Sequence, residues 1–230
     1  ETGSYTLTLN VAGQTVENTR LINIATRGFV GTGDNVLIGG LVIQGTEPKT
    51  VLIRARGPAL TEAGVDGALP DPNISFFYGA NLIDSNDDWQ DHENMSQVPA
   101  SLSPGNSQES VIVRSLSPGA YTAIVTGINS EEGIGLIEVF ELSDTGETRL
   151  INIATREFVG TLFSGATIIN SNNDWQEHAD AGKIPTNLIP TEDAEAVLYK
   201  ELSAGAYTAI VTGVGDSTGV AIVEVFEIEY

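Results

Sequence analysis

The sequence predicts an all-β protein made of two related antiparallel β-sandwich modules, jelly-roll-like, the second short by about two strands. Three observations carry this: the chain repeats itself, its apolar residues alternate or cluster at strand length, and its punctuation is Gly, Pro, Ser and Asn. "TRLINIATRGFVGT" (Thr19 to Thr32) returns as "TRLINIATREFVGT" (Thr148 to Thr161), 129 positions later. Phe76 to Leu142 aligns without gaps to Leu162 to Ile228, 86 positions later, with about half of the residues identical. The offsets differ by 43, so the second copy lacks the counterpart of Gly33 to Ser75.

Each element has its own local reason. Tyr5 to Val11 alternates strictly, with Tyr5, Leu7, Leu9 and Val11 on one face of a strand. "NVLIGGLVIQG" (Asn35 to Gly45) is apolar on both faces, as a buried strand or hairpin would be. "KTVLIRARG" (Lys49 to Gly57) turns Val51, Ile53 and Ala55 inward and Arg54 and Arg56 the other way. "ESVIVRSL" (Glu109 to Leu116), "GAYTAIVTG" (Gly119 to Gly127) and "GIGLIEVFEL" (Gly133 to Leu142) are short, β-branched and bounded by turn residues. Short helical turns are expected near Pro58 to Gly67 and Asp91 to Met95, and no stretch has a sustained helical period. Seven or eight strands are expected over Leu21 to Leu142, and five or six over Leu150 to Ile228. "SDTGETR" (Ser143 to Arg149) is the expected junction, dividing the chain into 1–146 and 147–230.

The missing 43 residues carry two strongly apolar strands of the first module. Losing both uncovers core side chains at about 1.5–3 kcal/mol each, on the order of 10 kcal/mol in all, and leaves open sheet edges. The second module is therefore expected to be completed by the first module, by the strand Tyr5 to Val11, or by another chain. A smaller self-sufficient sandwich is the alternative.

Acidic residues outnumber basic ones 31 to 10, for a formal charge of −21. Nucleic acids and anionic membranes are poor partners for such a surface. Without cysteine there is no disulfide, thiolate zinc site or cysteine nucleophile, and no apolar run is long enough to insert in a membrane as a helix. The opening Glu1-Thr2-Gly3 reads as a remnant left after a removed leader.

With the repeats laid out, "RLINIATRGFVGTGDNVLIGGLVIQG", "KTVLIRARGPAL", "SNDDW", "LSPGAYTAIVTG" and "GLIEVFEL" together resemble a tandem repeat module of large secreted or surface proteins of environmental bacteria. The stretch after Phe77 is also distantly similar to the bacterial pre-peptidase C-terminal domain. These resemblances imply a β-sandwich, a secreted or cell-surface location and a non-catalytic role beside enzyme or anchoring domains. Relatives of the second family include binders of calcium, collagen and polysaccharide.

The chemistry-bearing pattern is an octet written twice, "SNDDWQDH" (Ser85 to His92) and "SNNDWQEH" (Ser171 to His178). Asp84, Asn86 and Asp88 have the alternating oxygen ligands of a calcium loop, and Asn170, Asn172 and Asp174 repeat the spacing with less charge. Neither copy has the Gly and Glu that an EF-hand requires. The other reading is a turn, since Asn and Asp bond their own backbone. Trp89 and Trp175 are candidate sugar-stacking residues or plugs at the end of a core. His92 and His178 read as solvated loop residues, too few for zinc, and no nucleophile elbow is present. Arg27, Arg54, Arg56 and Arg114 are expected to pair with Asp and Glu across strands or to hold an anion.

The expected function is a non-catalytic structural or adhesive repeat, with Ca²⁺ as the candidate cofactor. A carbohydrate-binding accessory module of a secreted enzyme is the alternative. Expected partners are other modules of the same protein, a polysaccharide or a surface protein, and a second copy paired through open sheet edges.

Overall fold

Alternating and β-branched runs bury well only on a pleated surface, and in the computed structural model they form two antiparallel sheets. The structure describes residues 5–12, 20–143, 148–156, 160–164, 167–193, 195–211 and 222–228. The N-terminal strand β1 (Tyr5–Ala12) is followed by the first copy of the repeat. That copy comprises β2 (Arg20–Val30), β3 (Leu37–Gln44), β4 (Lys49–Arg56), β5 (Pro72–Tyr78), β6 (Asn81–Asn86), β7 (Ser110–Leu116), β8 (Gly119–Gly127) and β9 (Gly133–Glu141). A one-turn helix, α1 (Pro58–Glu62), follows β4, and short 3₁₀ turns occupy Trp89–Asp91 and Met95–Gln97. The second copy contributes β10 (Arg149–Arg156), β11 (Gly160–Ser164), β12 (Thr167–Asn172), β13 (Gly205–Val211) and β14 (Ile222–Phe226). The larger sheet runs β12-β11-β13-β1-β2-β9-β4-β7 and the smaller β14-β10-β3-β8-β5-β6. The protein is all-β, as its patterning predicts.

"NVLIGGLVIQG" becomes one strand and not a hairpin. Its alternation buries Leu37, Leu41 and Ile43, while Gly39 sits where a Cβ would come within 2.8 Å of the Ile137 side chain on β9. The two sheets close on each other there. β4 is buried on both faces. Val51, Ile53 and Ala55 join Ile24, Leu41, Phe76 and Leu150 in the main core, and Leu52 joins Val111 and Val113 in a second cluster on the opposite face. Trp89, Val98 and Leu102, from the long connection between β6 and β7, cover that second cluster. Tyr207, Ala209, Val223 and Val225 of the second copy pack against the main core, which is therefore common to both copies.

Strand pairing crosses between the copies twice. β1 runs between β2 and β13, and β10 pairs with β3. These pairings are related by an approximate two-fold. Against β13, Tyr5 faces Val211 and Val11 faces Gly205. Against β8, Leu37 faces Val125 and Ile43 faces Gly119, the same partners at the 86-residue offset. β1 therefore occupies, in the second copy, the register that β3 occupies in the first. The other edge agrees: Leu9 faces Ile24 and Val11 faces Leu21, while Leu41 faces Ile153 and Ile43 faces Leu150. Both pairings even carry a bulge at the same place, at Asn10/Val11 in one and Leu150/Asn152 in the other.

The carboxylates that end the EVFE runs repeat this reciprocity. Glu227 accepts the Leu21 amide at 3.2 Å, and Glu141 accepts the equivalent Leu150 amide at 3.5 Å. Most of the expected junction lies outside the described residues. Deleting residues 1–15 removes β1 from between β2 and β13, and is expected to lower the melting temperature by about 10 °C or more, measured by circular dichroism.

Candidate functional site

The repeated octet lies where β6 and β12 end, and its side chains are spent on holding that end. Asn86 donates from Nδ2 to the Asp88 carbonyl (2.9 Å) and accepts the Val111 amide on Oδ1 (3.0 Å). Asn172 repeats both bonds, to the Asp174 carbonyl (2.9 Å) and from the Val197 amide (3.2 Å). Next to each clamp the tryptophan amide donates across the loop at 2.8 Å, Trp89 to the Glu109 carbonyl and Trp175 to the Glu195 carbonyl. Each octet is thus tied by its Asn side chain and its Trp backbone to the start of the segment that follows its loop.

The histidines are buried, at 5% exposure for His92 and 8% for His178, which corrects the expectation of solvated loop residues. Each ring accepts a backbone amide on Nδ1, His92 from Asn94 (3.2 Å) and His178 from Asp180 (3.1 Å). For His92, accepting at Nδ1 leaves the proton on Nε2. In the first copy Nε2 faces Asp84 Oδ2 at 3.5 Å, and Arg114 holds the same oxygen at 2.7 Å. In the second copy the Asn170 amide takes the place of Asp84, 2.9 Å from His178 Nε2.

Of the three residues expected to ligate calcium in the first copy, Asp84 is paired with Arg114 and Asn86 is engaged at both ends of its amide. Burial, and then the carboxylates of Asp87, Asp71 and Asp91, push the Asp88 carboxyl above its ordinary range. In the second copy Asn172 is engaged in the same way and Asn170 faces its histidine. Among the described residues, no group of three or more His, Cys, Asp or Glu side chains is placed to hold a metal ion.

Trp89 and Trp175 are both half-buried. Trp89 packs against the Leu52, Val111 and Val113 cluster, and Trp175 buries its Nε1 without an acceptor among the described residues.

Several of the scarce cations form ion pairs between distant parts of the chain. Arg54 meets Glu138 at 2.6 Å, bonds the Leu102 carbonyl at 2.6 Å and lies 5.3 Å from the Phe140 ring centroid. Lys49 and Glu141 form a pair that is buried at both ends. Arg56 reaches Glu109, whose other oxygen accepts the Ala59 amide in the first turn of α1 at 2.9 Å. Glu109 is fully buried, and sequence reading missed it. A carboxylate opening an apolar strand looks like a solvated strand end, and only the fold brings α1 and Arg56 onto it. Desolvation raises its pKa above the ordinary carboxylate value, with the Ala59 amide and Arg56 opposing.

No family model, curated protein or solved structure matches the chain. What can be said of the site rests on its geometry. It is a pair of matched turns, each anchoring a long loop to the segment that follows it.

Asn86→Ala should leave the Val111 amide buried and unsatisfied, costing about 1–3 kcal/mol. Asn172→Ala should cost less, because Val197 is half-buried. Urea denaturation of both variants checks this. Glu109 binds its proton more tightly folded than unfolded, so its contribution to stability is greatest below about pH 4 and falls as pH rises through its folded-state pKa. Glu109→Gln should therefore gain stability relative to the parent chain as pH rises through that window. Melting curves for the two proteins at matched pH values read the difference.

Proposed function

We propose that the chain is a non-catalytic structural and adhesive repeat block of a larger secreted or cell-surface bacterial protein. What supports the reading most is the exchange of strands between the copies, β1 onto β13 and β3 onto β10. Modules joined by a loose linker swing independently. Copies that share two sheets and one core move together, which suits a spacer that must hold its neighbours at fixed distance and orientation.

Its partners on this reading are adjoining modules of the same parent protein and, at the exposed faces, a polysaccharide or a surface protein. Trp89 contributes to the fold by covering the second cluster. A formal charge of −21 keeps such blocks apart by repulsion.

Calorimetry tests the reading. A single transition with equal calorimetric and van't Hoff enthalpies is expected, whereas two separated transitions would describe independent beads and sink it. A melt with Ca²⁺ and again with EGTA addresses the octets. The clamp geometry predicts no shift. A rise reversed by EGTA and abolished by Asp88→Ala would make the octet a cation loop instead.

A further inference from the structure

We propose that the second copy carries a slot one strand wide, between β14 and the segment 196–202, that accepts a strand from a partner chain, apolar on both faces and bearing arginines two residues apart. In the first copy β4 is the inner strand between β9 and β7, and β7 has no other sheet partner among the described strands. β14 is the counterpart of β9, and 196–202 is the counterpart of β7. Both flanks are present in the second copy. The strand that belongs between them lies in the 43 residues that this copy lacks.

The far flank is anchored as in the first copy. Val197 is held by Asn172 as Val111 is held by Asn86, and Glu195 is held by Trp175 as Glu109 is held by Trp89. Yet 196–202 forms no strand, as expected of a segment whose ladder partner is missing. On the near flank, β14 pairs only with β10 among the described strands.

Burial follows the same logic. Glu109 is fully buried and Glu138 is 9% exposed, but their counterparts Glu195 and Glu224 are exposed. Ile137 and Val139 are buried, and Val223 and Val225 only half-buried. Phe140, beneath Arg54, has as its counterpart Phe226, 36% exposed.

The chemistry of the occupant follows from what β4 does. Arg54 and Arg56 pair with Glu138 and Glu109, one on each flank. Glu224 and Glu195 offer the same two carboxylates to an incoming strand with the same pitch, and the ladder on β14 supplies backbone bonds, as in strand addition. A second copy of this chain cannot supply β4, which is already paired on both edges. The strand must therefore come from a partner with such a segment unpaired.

The probe is a synthetic peptide of residues 48–57 added to the full chain. Expected are one-to-one binding by calorimetry and a melting temperature raised by several degrees. A peptide carrying Arg54→Glu and Arg56→Glu should bind at least about tenfold more weakly. The chain carrying Glu195→Arg and Glu224→Arg should reverse that preference. No binding of the native peptide overturns the proposal. So does binding indifferent to the charge reversal of the peptide, since that would be unspecific pairing at another sheet edge. The peptide comparison needs no altered protein, so poor folding of the doubly substituted chain leaves the test intact.

Discussion

The pairing of β1 on both of its edges is the constraint on which the rest of the structure depends. Three strands of the larger sheet lie on one side of β1 and four on the other. Without it that sheet falls into two pieces, and among the described strands only the β3·β10 ladder still joins the copies. The register of β1 is that of a β3 strand, bulge included, so the second copy receives at its β13 edge what the first copy supplies for itself. The deletion also respects layering. It removes β3 from one sheet and β4 from the other, and a chain that alternates between sheets stays in phase when two consecutive strands are lost. β10 can thus pass to β11 across the sandwich as β4 passes to β5.

Charge is distributed to match. Six of the ten basic residues form ion pairs in the described structure: Lys49, Arg54, Arg56, Arg114, Arg149 and Lys183. Three of the six lie on β4. Buried pairs of this kind add little net stability against apolar replacements. They penalise wrong register severely, because a one-residue slip leaves a charge buried alone. β4 meets an acid on each flank and can lie only one way. In the second copy, which has no β4, the counterparts of Glu138 and Glu109 are at the surface, where a solvated carboxylate costs little.

The fold class, a first copy of seven or eight strands and the site of the deletion are legible from alternation and repetition, because both are local properties of the chain. What completes the second copy is not local. "YTLTLNV" reads as a strand with one apolar face, and nothing within it says that its neighbours are Val211 and Arg27 on strands far away in sequence. The octets were legible as turns or as calcium loops, since Asn side chains serve both. The bond that forms the clamp, from the Val111 amide to Asn86, spans 25 residues. The histidines were misread for a related reason. An acid before a histidine suggests solvent, yet each ring turns inward to accept a backbone amide two residues ahead.

The two octets separate local from cooperative structure. "SNDDWQDH" and "SNNDWQEH" build the same clamp, with the same amide pairings, although the strand that follows is formed in one copy and not in the other. The clamp therefore does not need β4. The following segments, "ESVIVRSL" and "EAVLYKEL", are both apolar enough to pair, and only the one beside β4 becomes a strand. Strand propensity is a preference for a surface to lie on. Where the surface is present the preference is realised; where it is absent the chain is held at its start by Asn172 and forms no strand.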